Sequence, residues 1–245
     1  MTNDDGSAGR VDDQSRAAQT PTARIPTSQI PPGQIPTAPS ALTGRLEIRP
    51  AVQVPWEDVA RVFEGRGDPS RCWCQYFAMP RSEWRASTPA GCRSRLQEQL
   101  AGSASGRGLV ASLDGEPVGW CAVEPRAHLP RLLASRIVTA SPRPPARTPA
   151  DDAEPTEDGV WALTCFVVRS GHRRMGIATE LARAAVEWAR AQGATVLEGY
   201  PAETERRRTS SADLFVGTVA QFTAAGFVEV ARPTPARVIM QHALG

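Results

Sequence analysis

Residues Val160 to Tyr200 constrain this chain more than any other stretch. The nine residues from Val160 to Val168 are apolar apart from Thr164 and rich in β-branched and aromatic types. They are too few for a typical helix and are bounded by turn residues, so they predict a buried strand. Arg169-Ser170-Gly171-His172 ends the run, and Arg173 to Ala178 leads into a helical period. Ile177, Leu181, Ala184, Ala185 and Trp188 recur at steps of three and four, which places them on one helix face. Gly193 supplies a C-terminal stop, and Thr195 to Tyr200 reads as a second strand closed by Pro201. The unit is strand, tight turn, helix, strand.

Its turn suits an anion. A helix start leaves backbone N–H groups without partners and carries partial positive charge. Gly176 has no Cβ to keep a ligand from the backbone, and Arg173 and Arg174 add charge suited to bidentate phosphate contact. The preferred ligand is a phosphate or diphosphate. A plainer reading stays open, in which Gly176 only begins a helix and both arginines are solvated.

The residues Arg173, Gly176 and Ala178 form Arg-x-x-Gly-x-Ala between a hydrophobic strand and a long helix. This pattern resembles motif A of the GNAT (GCN5-related) N-acetyltransferases, Arg/Gln-x-x-Gly-x-Gly/Ala. Phe222-Thr223-Ala224-Ala225-Gly226-Phe227 resembles that family's Tyr-x-x-x-Gly-Phe segment, with phenylalanine in place of tyrosine. The resemblance spans roughly residues 45 to 243. Cys72-Trp73-Cys74, Gly119-Trp120-Cys121, Cys165-Phe166 and Glu198-Gly199-Tyr200-Pro201 are also similar to an actinobacterial-type subgroup of unnamed substrate. It implies an α/β (α+β) GNAT fold, a mixed, mostly antiparallel central sheet of about seven strands flanked by helices.

Composition narrows the setting. All 28 basic residues are arginine, and the net charge of +2 is too small to argue for nucleic acid or an anionic membrane. Five cysteines, an odd number, predict reduced thiols. Met1 to Asp5 is acidic and polar, unlike a secretory leader, so the expected location is the cytoplasm. No apolar run approaches a membrane span.

Residues 1–44 hold few large apolar side chains and are expected to form a disordered Pro-rich tail, with Ile-Pro at 25, 30 and 35. The domain is expected to fill 45–245. Leu46 to Arg49 alternates as a first strand, and Pro55 starts a helix to about Glu64 with Trp56, Val59, Val62 and Phe63 inward. Thr88 is a candidate N-cap ahead of Pro89, with Cys92, Leu96 and Leu100 as the helix's apolar stripe. Gly108 to Leu113 and Pro117 to Val123 flank Asp114-Gly115, a hairpin signal. Leu129 to Ile137 is expected as a short helix, and 140–158, rich in proline and acid, as a mobile surface insertion. Arg206-Arg207-Arg208 reads as a solvated face. Leu214 to Ala225 contains the last helix, and Phe227 to Val230 with Val238 to Met240 closes the sheet. Cys72 and Cys74 lack the spacing and the second pair that structural zinc requires, and the histidines do not cluster, so no metal is expected.

The resemblance implies acetyl transfer from acetyl-CoA to a primary amine of a small molecule or peptide in a ternary complex, by a monomer or homodimer. It implies cofactor contacts at Phe166, Val167, Val168, Arg173, Arg174, Met175, Gly176, Ile177, Ala178 and Thr179, and acceptor contacts from the segment of Trp73 and Tyr76, with Trp120. In the Thr195–Tyr200 strand, the two-residue period puts Glu198 and Tyr200 on one face near the cofactor strand. Glu198 is the candidate base, acting through water, and Tyr200 the candidate proton donor replacing the tyrosine absent at Phe222. The alternative is a catalytically weak acetyl-CoA-binding sensor or interaction module on the same fold. A zinc-structured adaptor built on Cys72 and Cys74 is more distant.

Overall fold

The computed structural model describes residues 44–65, 67–102, 107–142, 159–204 and 211–245. The expected tail of 1–44 lies outside the described residues except for Gly44. So do most of the 140–158 insertion and the Arg206–Arg208 run.

Strand β1 (Leu46–Pro50) alternates in burial, with Ile48 and Pro50 inward, and stands at one edge of the sheet. Helix α1 (Trp56–Phe63) follows Pro55, whose fixed φ suits a helix entry, and turns Val59, Ala60, Val62 and Phe63 inward. Two short helices, α2 (Pro69–Cys72) and α3 (Arg81–Ala86), lead to α4 (Pro89–Gly102). The α4 entry is capped by Thr88, whose Oγ1 accepts the Gly91 N–H at 3.1 Å. Strands β2 (Gly108–Leu113) and β3 (Glu116–Pro125) form the expected hairpin. Its two-residue turn holds Asp114 and Gly115 at φ 50° and 85°, the left-handed pair that matches strand twist. The helix expected over Leu129 to Ile137 is shorter: α5 covers Pro130–Leu133 and is followed by a separate 3₁₀ turn at Val138–Ala140.

Strand β4 (Val160–Val168) has the bounds read from its apolar run. Helix α6 (Ile177–Ala191) buries Ile177, Leu181, Ala184 and Ala185, while Trp188 is half-buried against the same core. Strand β5 is shorter than expected, Val196–Gly199. After it come a 3₁₀ segment, Ser211–Val216, then α7 (Val219–Ala224), β6 (Val228–Thr234) and β7 (Arg237–Ala243).

The sheet has seven strands in the order β1-β2-β3-β4-β5-β7-β6. Only the β4–β5 pairing is parallel, as a strand–helix–strand crossover requires. One face carries Leu109, Cys121, Trp161, Leu163 and Phe166 against α6. The other carries Val110, Trp120, Ala122, Cys165 and Val167 against α1 and α4. A smaller apolar group, Leu129, Leu132, Ala162, Tyr200 and Ile239, lies under α5. Each large side chain withdrawn from water here contributes about 1.5–3 kcal/mol. Among the described residues no helix is long and apolar enough to cross a membrane.

Candidate active site

The site begins with one extra residue in β4. Cys165 pairs with Ala122 and Leu163 with Val123, so Thr164 has no partner on β3 and forms a bulge. The bulge changes which residues face α6, from Trp161 and Leu163 before it to Phe166 after it. On the other edge, the parallel ladder with β5 ends at Leu163 and Gly199. Beyond that point Phe166, Val167 and Val168 have no β5 partner. Phe222 fills the fork where the strands part, edge-on to Phe166 with ring centres 5.8 Å apart.

The turn after β4 is shaped by hydrogen bonds and by left-handed backbone. Arg169 donates to the Glu116 carboxylate and to Pro117 O, and the Arg173 Nε–H donates to Val168 O at 3.1 Å. Arg174 and Gly176 sit at φ 63° and 85°, and Gly176 caps α6 with no side-chain hydrogen bond. The first turn of α6 therefore lines the cavity next to a residue without Cβ, a fit for a diphosphate.

Strand edge and turn border one cavity of about 670 Å³, within the usual range for small-molecule sites. Nine of the ten residues expected at the cofactor line it: Phe166, Val167, Val168, Arg173, Arg174, Gly176, Ile177, Ala178 and Thr179. Met175 does not line it and packs half-buried against the core. The opposite wall comes from Gly67 to Pro69, Leu214, Phe215, Thr218 and Gln221, none of which the sequence marked. Gln221 is tied to α6 by its Nε2–H, which donates to Ala178 O at 3.0 Å.

Glu198 and Tyr200 share a face, as the strand period predicts, but neither lines this cavity. Glu198 is fully buried. Its Oε1 accepts from Arg126 Nη1 at 3.2 Å and from the Tyr200 hydroxyl at 2.6 Å. Its Oε2 accepts from Ser141 Oγ at 2.5 Å and Gln241 Nε2 at 2.7 Å. Four donors fill the roughly four lone-pair positions of a carboxylate. Burial, and then the Glu198 charge, push the Tyr200 hydroxyl well above its ordinary range, so it stays protonated as a donor to Glu198.

The three aromatic residues expected to meet an acceptor separate. Trp73 stacks on Phe63 at 5.1 Å and Trp56 at 6.0 Å, and its Nε1–H donates to Ser70 O at 2.9 Å. Trp120 is fully buried and meets Phe63 edge-on at 5.4 Å. Both are buried in the core under α1. Tyr76 alone stays half-buried at the surface.

Cys74, Cys92, Cys121 and Cys165 are thiols in the core, and Cys72 is a half-buried thiol. Cys74 and Cys165 Sγ atoms lie 2.8 Å apart, and burial pushes Cys74 and Cys121 well up and Cys72 up to about 12. Among the described residues, no three His, Cys, Asp or Glu side chains gather to hold a metal. Nearby, Arg107 makes a bidentate pair with Glu124 and donates to Gln99 at 2.5 Å, a buried network that anchors α4 to β3.

Comparison with curated proteins gives no match. Solved structures resemble the chain at low identity. The acetyltransferase of the GNAT family from Streptococcus pneumoniae is 18% identical, with 82% of this chain and 100% of that one covered and a TM-score of 0.45. The GNAT domain of PAT from S. lividans is 16% identical over 81% and 90%, TM-score 0.43. YncA from Salmonella typhimurium, solved with its cofactor acetyl-CoA, is 13% identical over 82% and 94%, TM-score 0.45. The family model described as Acetyltransferase (GNAT) family matches residues 73–208. That match covers more than half of the chain and includes the β4 bulge, the Gly176 turn and α6. The chain is an acyltransferase that belongs to the GNAT acetyltransferase family.

Proposed function

We propose that the protein transfers an acetyl group from acetyl-CoA directly to the primary amine of a small molecule or peptide. The observation that carries this reading is the cavity shared by the unpaired β4 edge and the Gly176 turn. In this reading the diphosphate rests on the first N–H groups of α6, with Arg173 and Arg174 beside it. The amide-rich pantetheine arm pairs with the free edge of Phe166 to Val168 in the manner of an added strand. A backbone N–H of that edge receives the developing oxyanion.

The neutral amine attacks the thioester carbonyl, the C–S bond breaks, and the electron pair leaves on the CoA thiolate. The proton lost by nitrogen must leave the site. Glu198, with four donors on its oxygens, is a poor partner for it in this arrangement. Water in the open cavity is the better acceptor, and Glu198 and Tyr200 then act by holding β5 and β7 in position. A thiolate leaves without an acid at Phe222 because its intrinsic pKa is low, about 8.5 for a cysteine thiol.

Release of CoA across a panel of amines tests the reading, with mass spectrometry of the product amine. Because the chain contains no lysine, acetyl groups cannot accumulate on its own lysine side chains and confuse the count. Tight acetyl-CoA binding with no turnover on any amine would favour a sensor on the same fold.

A further inference from the structure

Beside the cofactor cavity lies a group of half-buried aromatic rings built around Tyr76. Its ring meets Phe77 at 4.9 Å, Trp84 at 5.4 Å and Phe215 at 5.8 Å, all near edge-on. Phe215 also lines the cofactor cavity, so one aromatic ring separates that cavity from Tyr76. The Arg131 guanidinium stacks over Tyr76, with Cζ 4.0 Å from the ring centre, and stands 5.9 Å from the Trp84 ring.

The arginine is incompletely satisfied. Its Nη1 is buried and has no hydrogen-bond partner, and among the described residues Arg131 makes no ion pair. A buried N–H of a charged group left unmatched is costly, and an anion restores what is missing. The frame around it is fixed. The Arg131 backbone N–H donates to Phe77 O at 3.3 Å. Fully buried Gln75 donates through Nε2 to Gln99 Oε1 at 2.9 Å, which pins the residue before Tyr76.

We infer that Arg131, stacked on Tyr76, binds the carboxylate of the acceptor. The acceptor is therefore an amine that also carries an acid group, with an apolar or aromatic body lying along Phe215 and Tyr76. This deepens the proposed acetyl transfer and rests on that reading of the neighbouring cavity. Charge favours it over a polyamine, since a fixed guanidinium repels ammonium groups and attracts a carboxylate. An arginine guanidinium is planar and carries paired N–H donors, a geometry that a carboxylate matches and a hydroxyl does not.

The test is calorimetry on the full chain saturated with CoA, using matched probes with and without the acid group. Phenylalanine is paired with phenethylamine, leucine with 3-methylbutylamine, and spermidine serves as the carboxylate-free polyamine. The acid member of at least one pair should bind about tenfold tighter or more, the usual worth of a charged hydrogen bond. Arg131→Ala should bring that ratio close to one while CoA affinity stays unchanged, and Arg131→Lys should keep part of it. Equal or tighter binding of the amine members, a preference for spermidine, no acid binding at millimolar concentration, or a ratio that survives Arg131→Ala would each overturn the inference. Failure of CoA itself to bind would instead overturn the cofactor reading. The acid preference, measured without CoA, would then still report on Arg131.

Discussion

The ring of Phe222 lies directly on Gly199, so closely that a Cβ on Gly199 would overlap it. Gly199 is the last β5 residue opposite β4, and Phe222 also meets Phe166 and Phe227 edge-on. The missing side chain on one strand and the aromatic ring on α7 together form the wedge that keeps β4 and β5 apart. Gly199→Ala should destabilise the protein by about 1–3 kcal/mol, as overpacked cores do. It should also weaken acetyl-CoA binding by driving the ring toward Phe166. Adding Phe222→Leu should restore most of the lost melting temperature. Wild-type melting of Gly199→Ala would show that the ring does not hold the fork.

Gly176→Val should reduce acetyl-CoA affinity by about two orders of magnitude or more, because its side chain occupies the ground the diphosphate needs. The backbone there is at φ 85°, so the same change should lower stability by about 1–2 kcal/mol. Calorimetry and thermal melting separate the two effects. A folded variant with wild-type affinity would remove this turn from the cofactor site.

Arg173→Ala should weaken acetyl-CoA binding more modestly, and the deficit should shrink as salt rises from low to physiological ionic strength. The Arg173 side chain is exposed and makes a single backbone contact, so melting should hardly move. A deficit that is the same at all salt concentrations would assign Arg173 a shaping role in the turn rather than a charge contact.

Glu198→Gln should behave as a structural lesion. An amide replaces a carboxylate oxygen that now accepts from Ser141 and Gln241, or from Arg126 and Tyr200, so donors face a donor. The expected loss is about 3 kcal/mol of stability, in the range for breaking a buried ion pair. Turnover should fall at most in proportion to the folded fraction. A hundredfold drop in kcat with unchanged melting would return Glu198 to the chemistry as a base.

Stability should fall as pH rises above about 9. Cys72, Cys74, Cys121 and Tyr200 all hold their protons more tightly in the folded protein than in the unfolded chain, chiefly because burial penalises the anion. Below about pH 9 both states are protonated and these groups contribute no pH dependence. Above it the unfolded chain ionises first, at about 1.4 kcal/mol per pH unit for each such group. Melting followed from pH 7 to 11 should be flat and then decline, and a flat profile to pH 11 would contradict the burial of these groups.

Much of this fold was legible because its strongest elements are local. The run Val160 to Val168, the Asp114-Gly115 hairpin and the Thr88 cap each carry their own signal in a few adjacent residues. The Thr164 bulge carries none, since whether a residue is left over depends on the partner strand. The wall formed by Leu214 and Phe215 was equally hidden, because a 3₁₀ segment reaches the cavity only through tertiary packing. Trp73 and Trp120 show a different limit: an aromatic residue in a ligand site and one in a core have the same chemistry until their neighbours are known. Glu198 and Tyr200 were correctly placed on one face by the strand period. The donors that occupy Glu198 come from Arg126, Ser141 and Gln241, distant in sequence.

Thr164 works as a frame shift in a two-letter alphabet of inside and outside. Residues before it are written in one phase, with Trp161 and Leu163 toward α6, and residues after it in the other, with Phe166 toward α6 and Cys165 and Val167 toward α1. Deleting that one threonine would leave Leu163, Cys165 and Phe166 in plain alternation on the faces they hold now, whereas pulling the bulge flat with Thr164 kept would send every later side chain of β4 through the sheet to the wrong layer. No single substitution repairs such a change, since the whole remainder of the strand is misaddressed together.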